Sequence, residues 1–235
     1  MLRATAALLG CLLVCPHAAA QSAPRPVRVV IASERLAGVS DAPRYFRVFR
    51  VELAKGQAAA FSGPSGYVFV VSGKLTISIG ASARSLAKGE AVFVKAGDTV
   101  SLQGPAQAIH FLLESGAPGS KPPYTGTAKA TELYRTKDPI PGLESGPYEF
   151  SLTKVTSPPK VKPPLHHRSG AAIYFVLEGG GTLYMESGAE PRKAGAVQYE
   201  PNSFVHTWEN SGGAPLVLLQ ANLSREGTPE ITFLR

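Results

Sequence analysis

The chain contains little cysteine. Only two of its 235 residues are cysteine, and both, Cys11 and Cys15, lie within the first 20 positions. If those positions are removed on export, the mature chain has no cysteine and therefore no disulfide. Its stability must then come from a hydrophobic core, which a folded product of more than 200 residues is large enough to form.

The apolar run near the start of the chain is too short to cross a bilayer as a helix. It covers Ala6–Val14, follows a positive charge at Arg3 and precedes the small residues Ala18–Ala20. This layout is typical of a secretory signal peptide. We therefore expect removal of residues 1–20, a secreted or periplasmic location and no stable membrane insertion. An uncleaved membrane anchor and a lipoprotein processed at Cys11 are the alternatives.

Acidic residues are fewer than basic ones. The chain has 17 Asp and Glu against 24 Lys and Arg, a formal net charge of +7. The basic residues are spread along the chain and do not interleave with aromatic residues, as they do in a nucleic-acid-binding strip. We therefore expect no nucleic-acid partner, whereas anionic small molecules or an anionic envelope surface remain suitable partners.

Helical periodicity is almost absent, and 24 glycines and 20 prolines leave little room for long helices. Short β-branched and aromatic runs instead predict strands. These runs cover residues 45–52, 67–71, 74–79 and 91–94 in the first half and 172–177, 182–185, 197–200, 204–208 and 216–220 in the second. The pattern predicts an all-β fold.

The strand pattern occurs twice. Gly73 ends a strand in the first half as Gly179 does in the second, 106 residues later, and Gly89 and Gly195 are separated by the same offset. We therefore predict a tandem duplication of an all-β unit. The first unit covers residues 21–115 and the second covers residues 145–235.

The segment between the units, residues 116–144, is rich in Pro, Gly, Ser and Lys. This composition is typical of a linker. We expect one short helix at its centre, from Ala128 to Tyr134. In the second unit, Gly179–Gly181 predicts a hairpin turn.

One motif of the second unit resembles a known family. Gly195, Pro201, His206 and Asn210 fit four of the five positions of the second cupin motif, Gly-x5-Pro-x-Gly-x2-His-x3-Asn, and Ser203 stands where Gly is usual. The unit is therefore similar to the cupins. The resemblance implies a double-stranded β-helix barrel of the jelly-roll kind. We predict a bicupin, with two tandem barrels of which the first is degenerate.

The first cupin motif is incomplete. In the family it reads His-x-His, three or four residues, Glu, six residues and Gly. Counting back from the glycine that ends the strand puts Ala172 at the Glu position. The three-residue spacing then puts His166 and Arg168 at the His positions, and the four-residue spacing puts Leu165 and His167 there. In both registers one histidine is in place and the carboxylate is missing.

The backbone at His166 and His167 decides between two kinds of site. In a regular strand adjacent side chains face opposite sides, so only one of the two turns inward. Together with His206 this leaves two protein ligands, fewer than a divalent metal normally has. A bulge would bring both inward and restore a three-histidine metal site. We expect the regular strand.

In the preferred register Arg168 faces the barrel interior beside His166. Its guanidinium keeps its proton and offers a planar set of donors that suits a carboxylate or phosphate. Alternation along the strands places aromatic residues on the same wall. The predicted ligand pocket consists of Arg168, Tyr174, Phe204, His206 and Trp208.

The first unit keeps the frame of the barrel but lacks the site. The positions equivalent to the motif residues are Ala60, Ser62, Gly66 and Val100, and the single histidine of this unit, His110, fits no ligand position. We expect a structural role for His110 and a packing role for the unit.

Three functions remain open. The first is an exported bicupin that binds a small, anionic molecule with reduced or no catalysis. The second is a metal-dependent enzyme of the dioxygenase, decarboxylase or isomerase type, in which His166, His167 and His206 hold Mn, Fe, Ni, Cu or Zn. The third is a structural or assembly protein of the envelope. We prefer the first because Arg168 would repel a metal cation. A monomer and a homodimer fit the sequence equally well.

Overall fold

A computed structural model describes residues 24–116, 119 and 122–234. The predicted signal peptide lies outside these residues. All regular elements of the described chain are strands, which confirms the all-β prediction. Among the same residues, no helix has the length and apolar character needed to cross a membrane.

Nineteen strands follow one another along the described chain. The first ten are β1 (Val27–Leu36), β2 (Arg44–Leu53), β3 (Ala58–Ser62), β4 (Ser65–Ile79), β5 (Ser82–Ala87), β6 (Ala91–Val94), β7 (Thr99–Gln103), β8 (Ala106–Ser115), β9 (Tyr124–Gly126) and β10 (Lys129–Arg135). The other nine are β11 (Tyr148–Ser157), β12 (His166–Arg168), β13 (Gly170–Glu178), β14 (Gly180–Met185), β15 (Gly188–Lys193), β16 (Val197–Glu200), β17 (Val205–Glu209), β18 (Leu216–Arg225) and β19 (Ile231–Phe233).

The strands form two barrel units. In the second unit, a sheet with the order β1-β11-β18-β13-β16 and a sheet with the order β15-β14-β17-β12-β19 enclose an apolar cluster to which both contribute. In the first unit, a continuous nine-stranded sheet has the order β10-β2-β8-β4-β7-β3-β9, with β5 and β6 paired to β4. The long strand β4 belongs to both walls of that barrel because it bends at Gly73.

Two strands pair across the predicted boundaries of the units. Strand β1 lies within the predicted first unit, residues 21–115, but pairs antiparallel with β11 of the second unit. Strand β10, from the predicted linker, pairs antiparallel with β2 of the first unit. The helix predicted from Ala128 to Tyr134 is therefore wrong, because pairing with β2 overrides the helical preference of this short segment. Sheet membership thus does not follow the order of the two units along the chain.

An apolar core joins the two units. Phe46 of the first unit packs on Phe150 and Tyr199 of the second, with ring centroids 6.3 Å and 6.1 Å apart. The Tyr67 hydroxyl donates a hydrogen bond of 2.5 Å to the carbonyl oxygen of Phe150. Because this core is buried between the sheets, it holds the first unit firmly against the wall of the second barrel.

The repeated glycines occupy equivalent positions. Gly73 and Gly179 both have positive φ, 77° and 74°. A Cβ atom on either would lie 2.4 Å or 2.5 Å from the carbonyl oxygen of Pro105 or Pro215, respectively. The hairpin predicted at Gly179–Gly181 is wrong, because β13 and β14 belong to different sheets and Gly179 forms the corner between them.

This corner generates a stability prediction. We expect Gly179→Ala to lower the free energy of unfolding by about 2–4 kcal/mol, because alanine at positive φ is strained and its Cβ meets a backbone oxygen. Urea unfolding measures this loss. The control is Gly213→Ala, since Gly213 has open space around its Cβ position, and it should change stability by less than about 0.5 kcal/mol. Equal effects of the two substitutions would contradict this account of the corner.

Candidate functional site

Strand β12 is regular and separates its two histidines. His166 and Arg168 are buried, with 7% and 1% of their surfaces exposed, whereas His167 lies on the other face and is half-buried. On one side β12 pairs with β17, where His166 is opposite His206, and on the other side it pairs with β19. The structure therefore brings His166, Arg168 and His206 together and leaves His167 outside this group.

The two inward imidazoles are oriented by the backbone. The ring centroids of His166 and His206 are 4.4 Å apart. Nδ1 of each ring lies 3.1 Å from a carbonyl oxygen two residues earlier, that of Pro164 or Phe204. Because a carbonyl only accepts, each Nδ1 carries the proton and each Nε2 of a neutral ring is left as an acceptor. Burial lowers the pKa of His166 to about 4, so this ring is neutral at pH 7.

A buried carboxylate that the sequence analysis missed lies at the centre of the site. Glu200 ends β16 directly opposite Ala172 on β13, so the carboxylate absent at Ala172 is supplied by the neighbouring strand. Its Oε2 accepts a hydrogen bond from Arg168 Nε at 2.8 Å, and its Oε1 accepts one from Trp208 Nε1 at 3.0 Å. The same Oε2 lies 3.0 Å from His206 Nε2.

The charges around Glu200 keep it ionised. Burial by itself would raise the pKa of this carboxyl, but the Arg168 guanidinium and His206 outweigh burial and lower the pKa to about 2. Nε2 of His206 lies within hydrogen-bond distance of the carboxylate, and this contact is one of the interactions that lower the pKa of Glu200.

Arg168 uses only part of its donor capacity. Besides the bond to Glu200, Nη1 donates to Asn222 Oδ1 at 3.1 Å and Nη2 donates to the Tyr174 hydroxyl. A guanidinium has five N–H groups, so three are used and one remains on each Nη. The plane of the guanidinium is fixed by these contacts, and the two remaining donors share that plane.

A polar layer on β18 extends the site. Gln220 and Asn222 are both buried, and Gln220 Nε2 donates to Asn222 Oδ1. Asn222 Nδ2 donates in turn to Ser151 Oγ at 3.3 Å. The sequence does contain a signal for this layer, because two polar residues at alternate positions interrupt the apolar run of β18.

The predicted aromatic residues surround the charged cluster. Tyr174 and Trp208 are buried, with ring centroids 5.8 Å apart. Phe204 precedes β17, is half-buried and stacks on His206 at 5.0 Å. All five residues of the predicted pocket thus belong to one barrel, and the four that are buried, Arg168, Tyr174, His206 and Trp208, fill its interior.

Two further motif residues support the backbone. Asn210 Nδ2 donates to the carbonyl oxygens of Ser157 and Ala214, both at 2.9 Å, and so fixes the turn before β18. Ser203 has a φ of 63°, a conformation that glycine adopts with less strain. The usual glycine of the motif is thus replaced without loss of the turn.

These residues do not fit a resident metal ion. Within the described ranges, no three His, Cys, Asp or Glu side chains are arranged so that they could hold one. Both oxygens of Glu200 accept hydrogen bonds, from Arg168 and Trp208. The guanidinium places a fixed positive charge beside the imidazoles, where it would repel a second cation.

The first barrel is filled by apolar side chains. Ala60 and Ser62, the predicted equivalents of motif positions, face outward, and Phe61 faces inward opposite Val100. The register is therefore shifted by one residue from the predicted one. His110 is buried and packs on Phe61 with a centroid distance of 4.7 Å. Burial lowers its pKa to about 3, so the ring is neutral.

The buried ion pair yields a prediction on stability and pH. At pH 7 we expect Glu200→Gln to cost about 3–5 kcal/mol of unfolding free energy, because Arg168 is left buried and unpaired. The folded pKa of Glu200 lies below its unfolded value, so its contribution is complete above about pH 4.5 and is lost as the pH falls toward 2. The difference between wild type and variant should therefore narrow at low pH.

Urea unfolding at pH 7 and at pH 3 measures this difference. Glu178→Gln is the control, because Glu178 forms only an exposed contact of 3.9 Å with Lys88. A Glu200→Gln variant as stable as this control would contradict the assignment of the ion pair.

Comparisons with known proteins agree with this geometry. Residues 153–221 match the family described as Cupin domain. No curated protein matches the sequence. Among solved structures, a cupin 2 conserved barrel domain protein from Leptotrichia buccalis is 15% identical, with 87% of this chain and 99% of that chain covered and a TM-score of 0.50.

Two enzymes also share the fold. A mutant of Bacillus subtilis oxalate decarboxylase is 12% identical over 85% of this chain and 79% of that chain, with a TM-score of 0.58. A salicylate 1,2-dioxygenase from Pseudaminobacter salicylatoxidans is 9% identical over 79% of this chain and 75% of that chain, with a TM-score of 0.53. The chain therefore has the cupin fold, and its second unit contains a cupin domain.

Proposed function

We propose that this protein is an exported bicupin that binds a small organic carboxylate in its second barrel without a resident metal. The observation that carries this proposal is Arg168, a buried guanidinium that is fixed by three contacts and keeps two N–H donors free. A carboxylate accepts two parallel hydrogen bonds from such a pair of donors. His166 lies two residues before Arg168 on the same strand, and His206 lies on the paired strand β17.

Charge balance defines how such a ligand binds. The pair of Arg168 and Glu200 is already neutral, so an incoming anion would leave one uncompensated negative charge in the barrel. An anion bound beside His166 would raise the pKa of that imidazole from its lowered value of about 4, so we expect binding to become weaker as the pH rises.

The similar enzymes support the ligand class. Oxalate decarboxylase and salicylate dioxygenase are named for small organic acids, and the Lactobacillus farciminis oxalate decarboxylase was solved with formate. Oxalate, salicylate and formate share a carboxylate, which is the group that Arg168 recognises best.

The first test measures carboxylate binding directly. We expect saturable binding of at least one of formate, oxalate and salicylate by isothermal titration calorimetry, and a matching rise in Tm. The double substitution Arg168→Met with Glu200→Gln removes both charges together, so no unpaired charge remains. It should weaken binding by roughly 10–100-fold, because bonds to a charged group are lost.

The control for this test is Arg84→Met, which removes an exposed arginine of the first unit. It should leave the Kd unchanged. The proposal fails if none of the three acids binds the wild-type protein, or if the double variant binds as tightly as wild type.

A metal-dependent enzyme is the second candidate, and one observation favours it. The two imidazoles are held through Nδ1 by carbonyl oxygens, as metal-binding histidines commonly are. The oxalate decarboxylase of Bacillus subtilis contains Mn(II) centres. In this chain, however, Glu200 is bound by Arg168 and no third free ligand accompanies the histidines within the described residues.

Metal analysis separates the two candidates. We expect far less than one equivalent of Mn, Fe, Ni, Cu or Zn to remain on protein purified without a histidine tag and then incubated with each metal and desalted. The reason is that two histidines beside a guanidinium bind a divalent ion weakly. Retention of one equivalent that is lost in His206→Ala would overturn the metal-free proposal.

A further inference from the structure

The segment after β18 folds back over the second barrel. Thr228 N donates to the Arg225 carbonyl oxygen at 3.1 Å, and Gly227 has a φ of 77°, so the chain reverses at this point. Strand β19 then pairs with β12, with Phe233 opposite His166. The Phe233 ring lies 5.6 Å from the His166 ring. The segment therefore forms the edge strand of this sheet, next to the strand that carries the inward His166 and Arg168.

A carboxylate of this segment occupies a built site on the barrel. Glu230 Oε1 accepts a hydrogen bond of 2.8 Å from Ser151 Oγ, and Oε2 accepts one from Arg28 Nη2. Arg28 is itself held by Gln220, whose Oε1 accepts from Arg28 Nη1 at 3.0 Å. A guanidinium, a hydroxyl and a supporting amide are the groups that recognise a carboxylate in water.

This site is connected to the interior. Gln220, which holds Arg28, also donates to Asn222, and Asn222 accepts from Arg168. The hydrogen-bonded path thus runs from Glu230 through Arg28 and the polar layer of β18 to the buried guanidinium. A group bound at Arg28 and a group bound at Arg168 would therefore contact the two ends of one buried hydrogen-bonded path.

The outer end of this path is accessible to solvent. The side chains of Arg28 and Glu230 are 31% and 27% exposed, whereas those of Arg168 and Glu200 are 1% and 0% exposed. Strand β19 has three residues, and 54% of the surface of Phe233 is exposed. Little apolar surface holds the segment down, so its displacement is less costly than the opening of a core strand.

We propose that Arg28, Ser151 and Gln220 form a second carboxylate subsite at the outer end of the barrel, and that Glu230 occupies it as an internal competitor. A small organic carboxylate enters by replacing the Glu230 carboxylate on Arg28, and the displaced segment frees the edge of β12. This inference rests on the proposed function, because the subsite takes the same class of ligand that we propose for Arg168.

The test compares Glu230→Gln with wild type. The variant keeps the length of the side chain but binds Arg28 without charge, so the internal competitor is weakened. With formate, oxalate and salicylate as probes, we expect the Kd of the acid that binds to fall by roughly three- to tenfold. Arg28→Met should instead weaken binding.

Glu226→Gln is the matched control. Glu226 lies four residues earlier and forms an exposed ion pair with Arg35 at 2.8 Å, away from the polar path. The Kd of the Glu226→Gln variant for the same acid should equal that of wild type. If wild type binds and Glu230→Gln has the same Kd, the inference is overturned while the proposed function stands. If no variant binds any of the three acids, both fail.

Hydrogen exchange without any ligand gives an independent measurement. The Leu234 amide donates to the Leu165 carbonyl oxygen at 2.9 Å and reports on the pairing of β19 with β12. We expect this amide to exchange roughly three- to tenfold faster in Glu230→Gln than in wild type or Glu226→Gln, because the segment opens more often. An unchanged rate would show that Glu230 does not hold the segment in place and would overturn the inference.

Discussion

The site depends on one buried ion pair, Arg168 with Glu200. Two charges without solvent contact are costly to bury, and they are stable only when each is met by the other and by further hydrogen bonds. Asn222, Tyr174 and Trp208 supply those bonds. The pair therefore fixes a group of side chains on five strands, and it places a permanent cation at a position that the cupin motif gives to a histidine.

The fixed cation changes the chemistry that the barrel can support. The imidazoles of His166 and His206 are oriented by backbone carbonyl oxygens, and the neighbouring guanidinium offers hydrogen-bond donors, on which the proposed binding of a carboxylate depends. The pairing of β1 with β11 adds a second arginine, Arg28, at the outer end of the hydrogen-bonded path. The core shared by the two units holds this wall of the barrel in place.

Several features were predictable because they depend on local pattern. Alternation along β12 placed His166 and Arg168 inward and His167 outward, and the spacing of the glycines predicted the repeated frame. Other predictions failed because a distant strand decided the outcome. The segment predicted as a helix from Ala128 to Tyr134 forms strand β10 because it pairs with β2. In β3, the pairing with β7 places Phe61 inward, whereas the motif spacing predicted Ala60 at that position.

The sequence by itself predicted the all-β class, the repeated strand pattern and, once a regular strand was preferred over a bulge, the inward residues on β12 and β17, since side-chain direction in a strand alternates with the chain. Only the tertiary structure decided that Glu200 faces Ala172 and meets Arg168, because that contact depends on which strands are neighbours and in which register. Which groups a buried charge contacts depends on how the strands pack, so the sequence of one motif does not reveal those groups.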